Sequence, residues 1–228
     1  MRSSRWQAQG NVYLVAEQEL TPGRVPKAVG DADGIVEVRG YGDGWVEIVI
    51  WNPDGSLAEM SGNGTRIAAC WLAERTGARQ VTVRVGPREV SARLLDGGLV
   101  EQDLGEVTVG EREELDGIAF TPVDVGNPHA VVEGDPADLP RLGRLLENHP
   151  RFPGRTNVQV ARRIGDRDVE ARVWERGVGE TGSSGTSAIA VAAALGLGEA
   201  TVHFPGGSLQ VRLDHGRAFL TGPAEKVE

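Results

Sequence analysis

Val46-Glu47-Ile48-Val49-Ile50-Trp51 aligns with Val169-Glu170-Ala171-Arg172-Val173-Trp174 at an offset of 123, with the Val-Glu start and the final Trp identical. The same offset carries Ser61-Gly62 onto Ser184-Gly185. Each copy reads as an alternating strand ending in Trp, a polar loop of nine residues, a Ser-Gly turn and an apolar helix. Working outward, Gly10-Asn11 matches Gly126-Asn127 at an offset of 116, and Thr82-Val83 matches Thr201-Val202 at 119. Four pairs in one order, with offsets that drift by a few loop deletions, identify an internal duplication.

Alternation at Val81–Val85 and Leu209–Leu213 adds strands, with Gly, Asp and Pro punctuating the intervals. The spacing of Ile67, Ala68, Trp71 and Leu72 predicts a helix over Thr65–Arg75, with Gly77 as its C-cap. Ser187–Leu195 is apolar all round and predicts a buried helix, and a third helix is expected over Leu139–Glu147. Short turns between strands and one buried helix per half predict an α+β fold of two pseudo-symmetric domains. Their expected bounds are residues 1–113 and 114–228, with the last strand able to pack on the first domain and a site in the cleft between them.

The composition narrows the function. With 24 Lys and Arg against 33 Asp and Glu, the formal charge is −9 and the pI about 5.1. That balance argues against nucleic-acid and anionic-membrane partners and for small-molecule work. The N-terminus lacks an apolar export segment, and the longest apolar run, Ala188–Leu197, is too short to span a bilayer, so a soluble cytoplasmic protein is expected. One cysteine, Cys70, and four scattered histidines give no metal-ligand spacing, so no metal is implied. Only Lys27 and Lys226 could carry a pyridoxal Schiff base, and neither sits in a motif.

The chemistry concentrates at the two Ser-Gly elbows. In Met60-Ser61-Gly62-Asn63-Gly64-Thr65-Arg66 and Ser183-Ser184-Gly185-Thr186-Ser187-Ala188 a small polar side chain precedes a helix start. Its free N–H groups, from Gly62, Asn63, Gly185 and Thr186, suit an anion such as a carboxylate. Either serine alone reads as an ordinary N-cap. Two copies related by duplication can instead grip one carboxylate and approach its α-carbon from opposite faces, as a two-base inversion requires.

These residues carry a resemblance. Asn52-Pro53-Asp54-Gly55-Ser56, Ser61–Arg66, Gly126-Asn127-Pro128-His129, Arg155-Thr156-Asn157, Glu175–Thr181, Ser184-Gly185-Thr186 and Pro205-Gly206-Gly207 together resemble the diaminopimelate epimerase family, in the family's order and over nearly the whole chain. The resemblance implies an isomerase that needs neither cofactor nor metal and inverts an amino-acid α-carbon. It further implies LL- and meso-diaminopimelate as substrate, a place in lysine biosynthesis, and a curved, mostly antiparallel sheet around a central helix in each domain. A homodimer is compatible with it. By position it implies that Asn11, Asn52, Asn127, Asn157 and Arg176 surround the substrate, and that Glu175 and His129 support the acid/base pair. Taken singly, the Asn residues read as turn formers and Arg176 as one arm of an ion pair.

Where the family has two catalytic cysteines, this chain has Ser61 and Ser184. A thiol has a reference pKa of about 8.5, and an aliphatic hydroxyl is a far weaker acid, so proton transfer is expected to be slowed by several orders of magnitude. Cys70 cannot substitute, because nine residues of helix separate it from Ser61 by roughly 13 Å. Either both cysteines have been replaced to trap a complex, or this is a natural branch; Ile67, Ser187 and Val12 also depart from usual family residues. A non-catalytic amino-acid-binding homologue and an isomerase of another amino acid stay open. A serine hydrolase using Ser61 or Ser184 with His129 is disfavoured because neither serine lies in Gly-x-Ser-x-Gly.

Overall fold

Two strands that run the same way cannot be joined by a tight turn; the chain must cross over, most economically through a helix. The computed structural model, which describes residues 3–58 and 60–227, uses this crossover four times. By its contacts the chain forms two units, one of residues up to Asp103 together with those from Thr221 on, the other Leu104–Leu220.

The first unit runs β1 (Ser3–Ala8), β2 (Asn11–Ala16), α1 (Val25–Val29), β3 (Gly34–Gly42), β4 (Trp45–Trp51), β5 (Leu57–Ala58), α2 (Gly62–Thr76), β6 (Gln80–Val85), β7 (Arg88–Leu94) and into β8 (Leu99–Glu106). β2 and β3 pair in parallel across α1, and β4 and β6 in parallel across α2, while the β1–β2, β3–β4, β6–β7 and β7–β8 ladders are antiparallel. The second unit runs β9 (Thr108–Val109), β10 (Glu113–Leu115), β11 (Ile118–Asp124), β12 (Pro128–Glu133), α3 (Leu139–Glu147), β13 (Asn157–Arg163), β14 (Asp168–Glu175), β15 (Gly179–Thr181), α4 (Gly185–Ala194), β16 (Glu199–Phe204), β17 (Gly207–Asp214) and into β18 (Arg217–Pro223). It repeats the pattern, with β12–β13 parallel across α3 and β14–β16 parallel across α4. β19 (Glu225–Lys226) returns to the first unit, antiparallel to β1.

The duplication holds at the level of register. Trp51 faces Ile35 and Leu57 on the neighbouring strands; Trp174 faces Val158 and Glu180, every position shifted by 123. Val46 faces Val83, and Val169 faces Val202, which accounts for the two offsets of 123 and 119. The loop after each Trp folds back as a strand of two or three residues, β5 or β15, too short to leave a periodic signal. α1, five residues long, escapes sequence reading for the same reason.

The helices are the cores. Every residue from Ser187 to Ala192 on α4 is fully buried among Val123, Val131, Val173, Val202 and Leu220. The helix starts at Gly185, before the expected Ser187, and Leu195 is its C-cap. α2 begins at Gly62, three residues before the expected Thr65, because the Ser61 cap captures a first turn of weak helix formers. It ends at Gly77 in the left-handed conformation, φ 74°. α3 spans Leu139–Glu147 as expected and buries Leu139, Leu142 and Leu146 against Phe120, Val158 and Val160. Among the described residues, no helix is long and apolar enough to cross a membrane.

α3 also meets Trp174 at Gly143, where an added Cβ would lie 2.7 Å from the indole ring. Helix propensity alone favours Ala over Gly by about 1 kcal/mol. We expect Gly143→Ala to destabilise the protein nonetheless, by about 1–3 kcal/mol from overpacking, read as a lower urea midpoint with unchanged m-value.

Candidate active site

The two elbows share a backbone and differ in hydrogen bonding. Ser61 (φ −142°, ψ 118°) and Ser184 (φ −148°, ψ 132°) are both extended N-caps, each at the end of the loop that follows the strand carrying Trp51 or Trp174. The Ser61 hydroxyl oxygen accepts from the Gly64 N–H at 3.0 Å and lies 3.2 Å from the Tyr13 hydroxyl. The Ser184 side chain makes no capping bond. Gly62, Thr186 and both serines are half-buried, while Asn63 and Gly185 are buried. Helix geometry leaves the N–H groups of these first turns without intrahelical acceptors, so each elbow keeps an anion-stabilising edge.

Beneath the first turn of α2 lies a buried polar cluster. Arg66 is entirely enclosed and donates to Asn63 Oδ1. Its Nε finds no partner among the described residues. The Gln102 amide, oriented so that its nitrogen donates to Gly62 O at 3.1 Å and its oxygen accepts from Thr65 Oγ1 at 2.7 Å, closes the cluster. Burial pulls the Arg66 guanidinium down to about 10, and pushes the Cys70 thiol up to about 11, so Cys70 remains a neutral thiol that donates to Ala224 O at 3.5 Å.

In the second unit four of the expected residues come together. His129, at the start of β12 and 1% exposed, has both ring nitrogens engaged: Nε2 with Asn127 Oδ1 at 3.0 Å and Nδ1 with Gln159 Nε2 at 3.0 Å. An amide oxygen only accepts and an amide nitrogen only donates, which assigns the neutral Nε2–H tautomer. Gln159 Nε2 also donates to Ser187 Oγ at 2.9 Å. Burial, reinforced by the Arg176 charge, depresses His129 to about 3. Asn157 ties two loops together, its Nδ2 donating to Pro128 O and its Oδ1 accepting from the Arg176 N–H, both at 3.0 Å.

Glu175, the last residue of β14, accepts from Thr181 Oγ1, and burial raises its carboxyl above the ordinary value. The following turn is held by Glu147. This buried side chain accepts from Trp174 Nε1 at 2.8 Å, from the Gly177 N–H at 2.7 Å and from Arg155 at 3.3 Å. Arg176 reaches Gly154 O at 3.3 Å.

The remaining expected residues lie in the first unit. Asn11 opens β2 opposite Ala8. Asn52 is exposed and donates to Ser56 Oγ at 2.9 Å, within a turn that Asp54 also braces. Tyr13, Gln159 and Glu147 escaped sequence reading. For Tyr13 a signal existed: the offset of 116 that joins Asn11 to Asn127 also joins Tyr13 to His129. Among the described residues, no three His, Cys, Asp or Glu side chains gather as a metal site.

Comparison with known proteins gives a consistent picture. The diaminopimelate epimerase family profile matches residues 121–227. The diaminopimelate epimerase of Synechococcus elongatus is 34% identical over 275 aligned positions, covering 100% of this chain and 96% of that protein. That of Desulforudis audaxviator is 36% identical, covering 100% and 97%. A solved structure of a predicted epimerase from Pseudomonas aeruginosa superposes with a TM-score of 0.78 over 99% of this chain and 96% of its own, at 16% identity, which speaks to the fold.

The His129 environment has a measurable consequence. In the unfolded chain a histidine titrates near 6.5, whereas folded His129 takes a proton only near 3. Below pH 6.5 the unfolded chain therefore binds a proton that the folded chain does not. Stability contributed by neutral His129 is full above pH 6.5 and lost on acidification, by up to about 1.4 kcal/mol per pH unit. Nitrogen NMR should find the Nε2–H tautomer unchanged from pH 8 to pH 5, and His129→Gln should flatten the acid limb of the stability profile.

Proposed function

The chain belongs to the diaminopimelate epimerase family, and on that premise we propose that it inverts the α-carbon of diaminopimelate, between the LL and meso forms, as a cofactor-independent isomerase of lysine biosynthesis. Ser61 and Ser184 occupy the two base positions. The observation that carries this reading is the repeated elbow: one N-cap backbone, built twice, each time presenting a hydroxyl beside helix-start N–H groups. One serine oxygen takes the α-proton as its own hydroxyl proton leaves to a neighbouring acceptor or water, and the other hydroxyl gives its proton to the opposite face and is reprotonated from water. The helix-start N–H groups of Gly62, Asn63, Gly185 and Thr186 stabilise the carboxylate as carbanion character develops.

Arg176 offers a planar fork to a substrate carboxylate, and Asn11, Asn52, Asn127 and Asn157 supply polar contacts around the amino-acid end. Glu175, whose carboxyl burial raises above its ordinary value, holds a proton more readily than an exposed carboxylate and is placed to support the acid/base pair. His129, neutral and engaged at both nitrogens, acts as a fixed dipole in the resting protein rather than as an imidazolium. The substrate is a free amino acid handled in the cytoplasm, without nucleic acid or membrane, by a protein compatible with a homodimeric state.

Activity is expected to be low. Each pKa unit by which a hydroxyl exceeds a thiol costs about 1.4 kcal/mol in forming the base. The competing reading, a non-catalytic amino-acid-binding homologue, draws its support from the lack of a thiol at either elbow. Incubation with diaminopimelate in deuterated water separates the two. Slow α-deuteration by the protein, rising by at least about 100-fold in the Ser61→Cys/Ser184→Cys variant, supports the epimerase. Tight binding with no exchange in either protein supports the binding module.

A further inference from the structure

Ser61 is a weaker acid than the chemistry needs, yet its surroundings are not those of a bare N-cap. Its oxygen already accepts the Gly64 N–H, so its own hydrogen is available to a second acceptor, and the Tyr13 oxygen stands 3.2 Å away. The Tyr13 ring is held in place: it lies over Gly34, where an added Cβ would fall 2.8 Å from both the ring and Trp51 O. Nearby sits the enclosed Arg66 cation, whose side-chain partner is the neutral amide oxygen of Asn63.

We propose that Tyr13 is a positioning residue and proton acceptor for Ser61, the pair forming a relay that replaces a thiolate. This rests on the epimerase reading above. In the forward step the Cα–H bond breaks and leaves its electron pair on the substrate α-carbon. The released proton passes to Ser61 Oγ, and the Ser61 hydroxyl proton passes to the Tyr13 phenolate, which becomes phenol. Ser184 gives its proton to the opposite face and is reprotonated from water, while Tyr13 returns its proton to water. A phenol, with a reference pKa near 10, ionises far more readily than an aliphatic hydroxyl. Tyr13 and Cys70 are the groups whose ionised forms favour the buried Arg66 charge, and Cys70 stays a thiol. Among the described residues, the Asp33 carboxylate is a further titratable group beside Tyr13, accepting from the Val12 N–H.

Tyr13→Phe keeps the ring over Gly34 and removes only the oxygen. In the parent, α-deuteration of diaminopimelate should accelerate towards alkaline pH. In Tyr13→Phe the rate should fall by about 100-fold, with KM little changed and the alkaline rise abolished. In a Ser61→Cys background, where a thiol is the base, the same substitution should lose most of its effect. A uniform loss at every pH, in both backgrounds, overturns the relay. A second measurement needs no turnover. The chain has two tyrosines, so Tyr41→Phe leaves Tyr13 alone, and its tyrosinate absorbance transition should shift when Ser61→Ala is added. An unmoved transition also overturns the proposal. Absence of exchange from the Ser61→Cys/Ser184→Cys protein would instead count against the epimerase reading, with the absorbance titration still deciding the Tyr13–Ser61 coupling.

Discussion

Parallel pairing of β4 with β6, and of β14 with β16, is the constraint from which the rest of this protein follows. A parallel pair forces a crossover, and each crossover here is a helix buried beneath its own sheet. A buried helix must still satisfy or use its first N–H groups. Ser61 and Ser184 stand at that point in the chain, so the placement of the two proposed base residues follows from how the strands are connected. The same logic explains the near-identical cap dihedrals of two elbows 123 residues apart.

A shared backbone does not impose shared chemistry. Ser61 is tied to Gly64 and Tyr13 above an enclosed arginine, whereas Ser184 makes no capping bond and follows a loop anchored by Glu147 and Asn157. The duplicated positions that flank the elbows have diverged as well. Tyr13 in one copy corresponds to His129 in the other, a titratable phenol against an imidazole locked neutral by Asn127 and Gln159. Trp51 and Trp174 both place their indole N–H on a buried glutamate, but Glu37 comes from the neighbouring strand and Glu147 from the end of α3. Duplication preserved the requirement for an acceptor and let its source change.

Much of this was legible in the sequence because it is periodic or local. The repeat gave both Trp strands and both elbows; the apolar run gave α4, and Leu139–Glu147 gave α3. What escaped was short or lateral. β5, β15 and α1 are too brief to show a period. Gln159 reaches His129 across the parallel β12–β13 pair, and Glu147 reaches Gly177 from 30 residues away; no spacing rule encodes such contacts. The resemblance implies a substrate contact for Asn157, while its side chain also bridges Pro128 and Arg176, setting one loop against the other, a tie no spacing rule encodes.

Inversion at carbon asks for two groups in opposite protonation states at the start of each turnover, one ready to accept and one ready to give. Two identical hydroxyls in identical surroundings would meet that need poorly, since any influence that ionised one would ionise the other. The surroundings of the two elbows in this chain are not identical. On the Ser61 side the Tyr13 hydroxyl stands 3.2 Å from the serine oxygen, and the Arg66 guanidinium is entirely enclosed. In the second unit, burial raises the Glu175 carboxyl and so favours holding a proton. If the two serines act as the proposed base pair, divergence of the surrounding residues under a repeated pair of caps is what would make a symmetric scaffold directional.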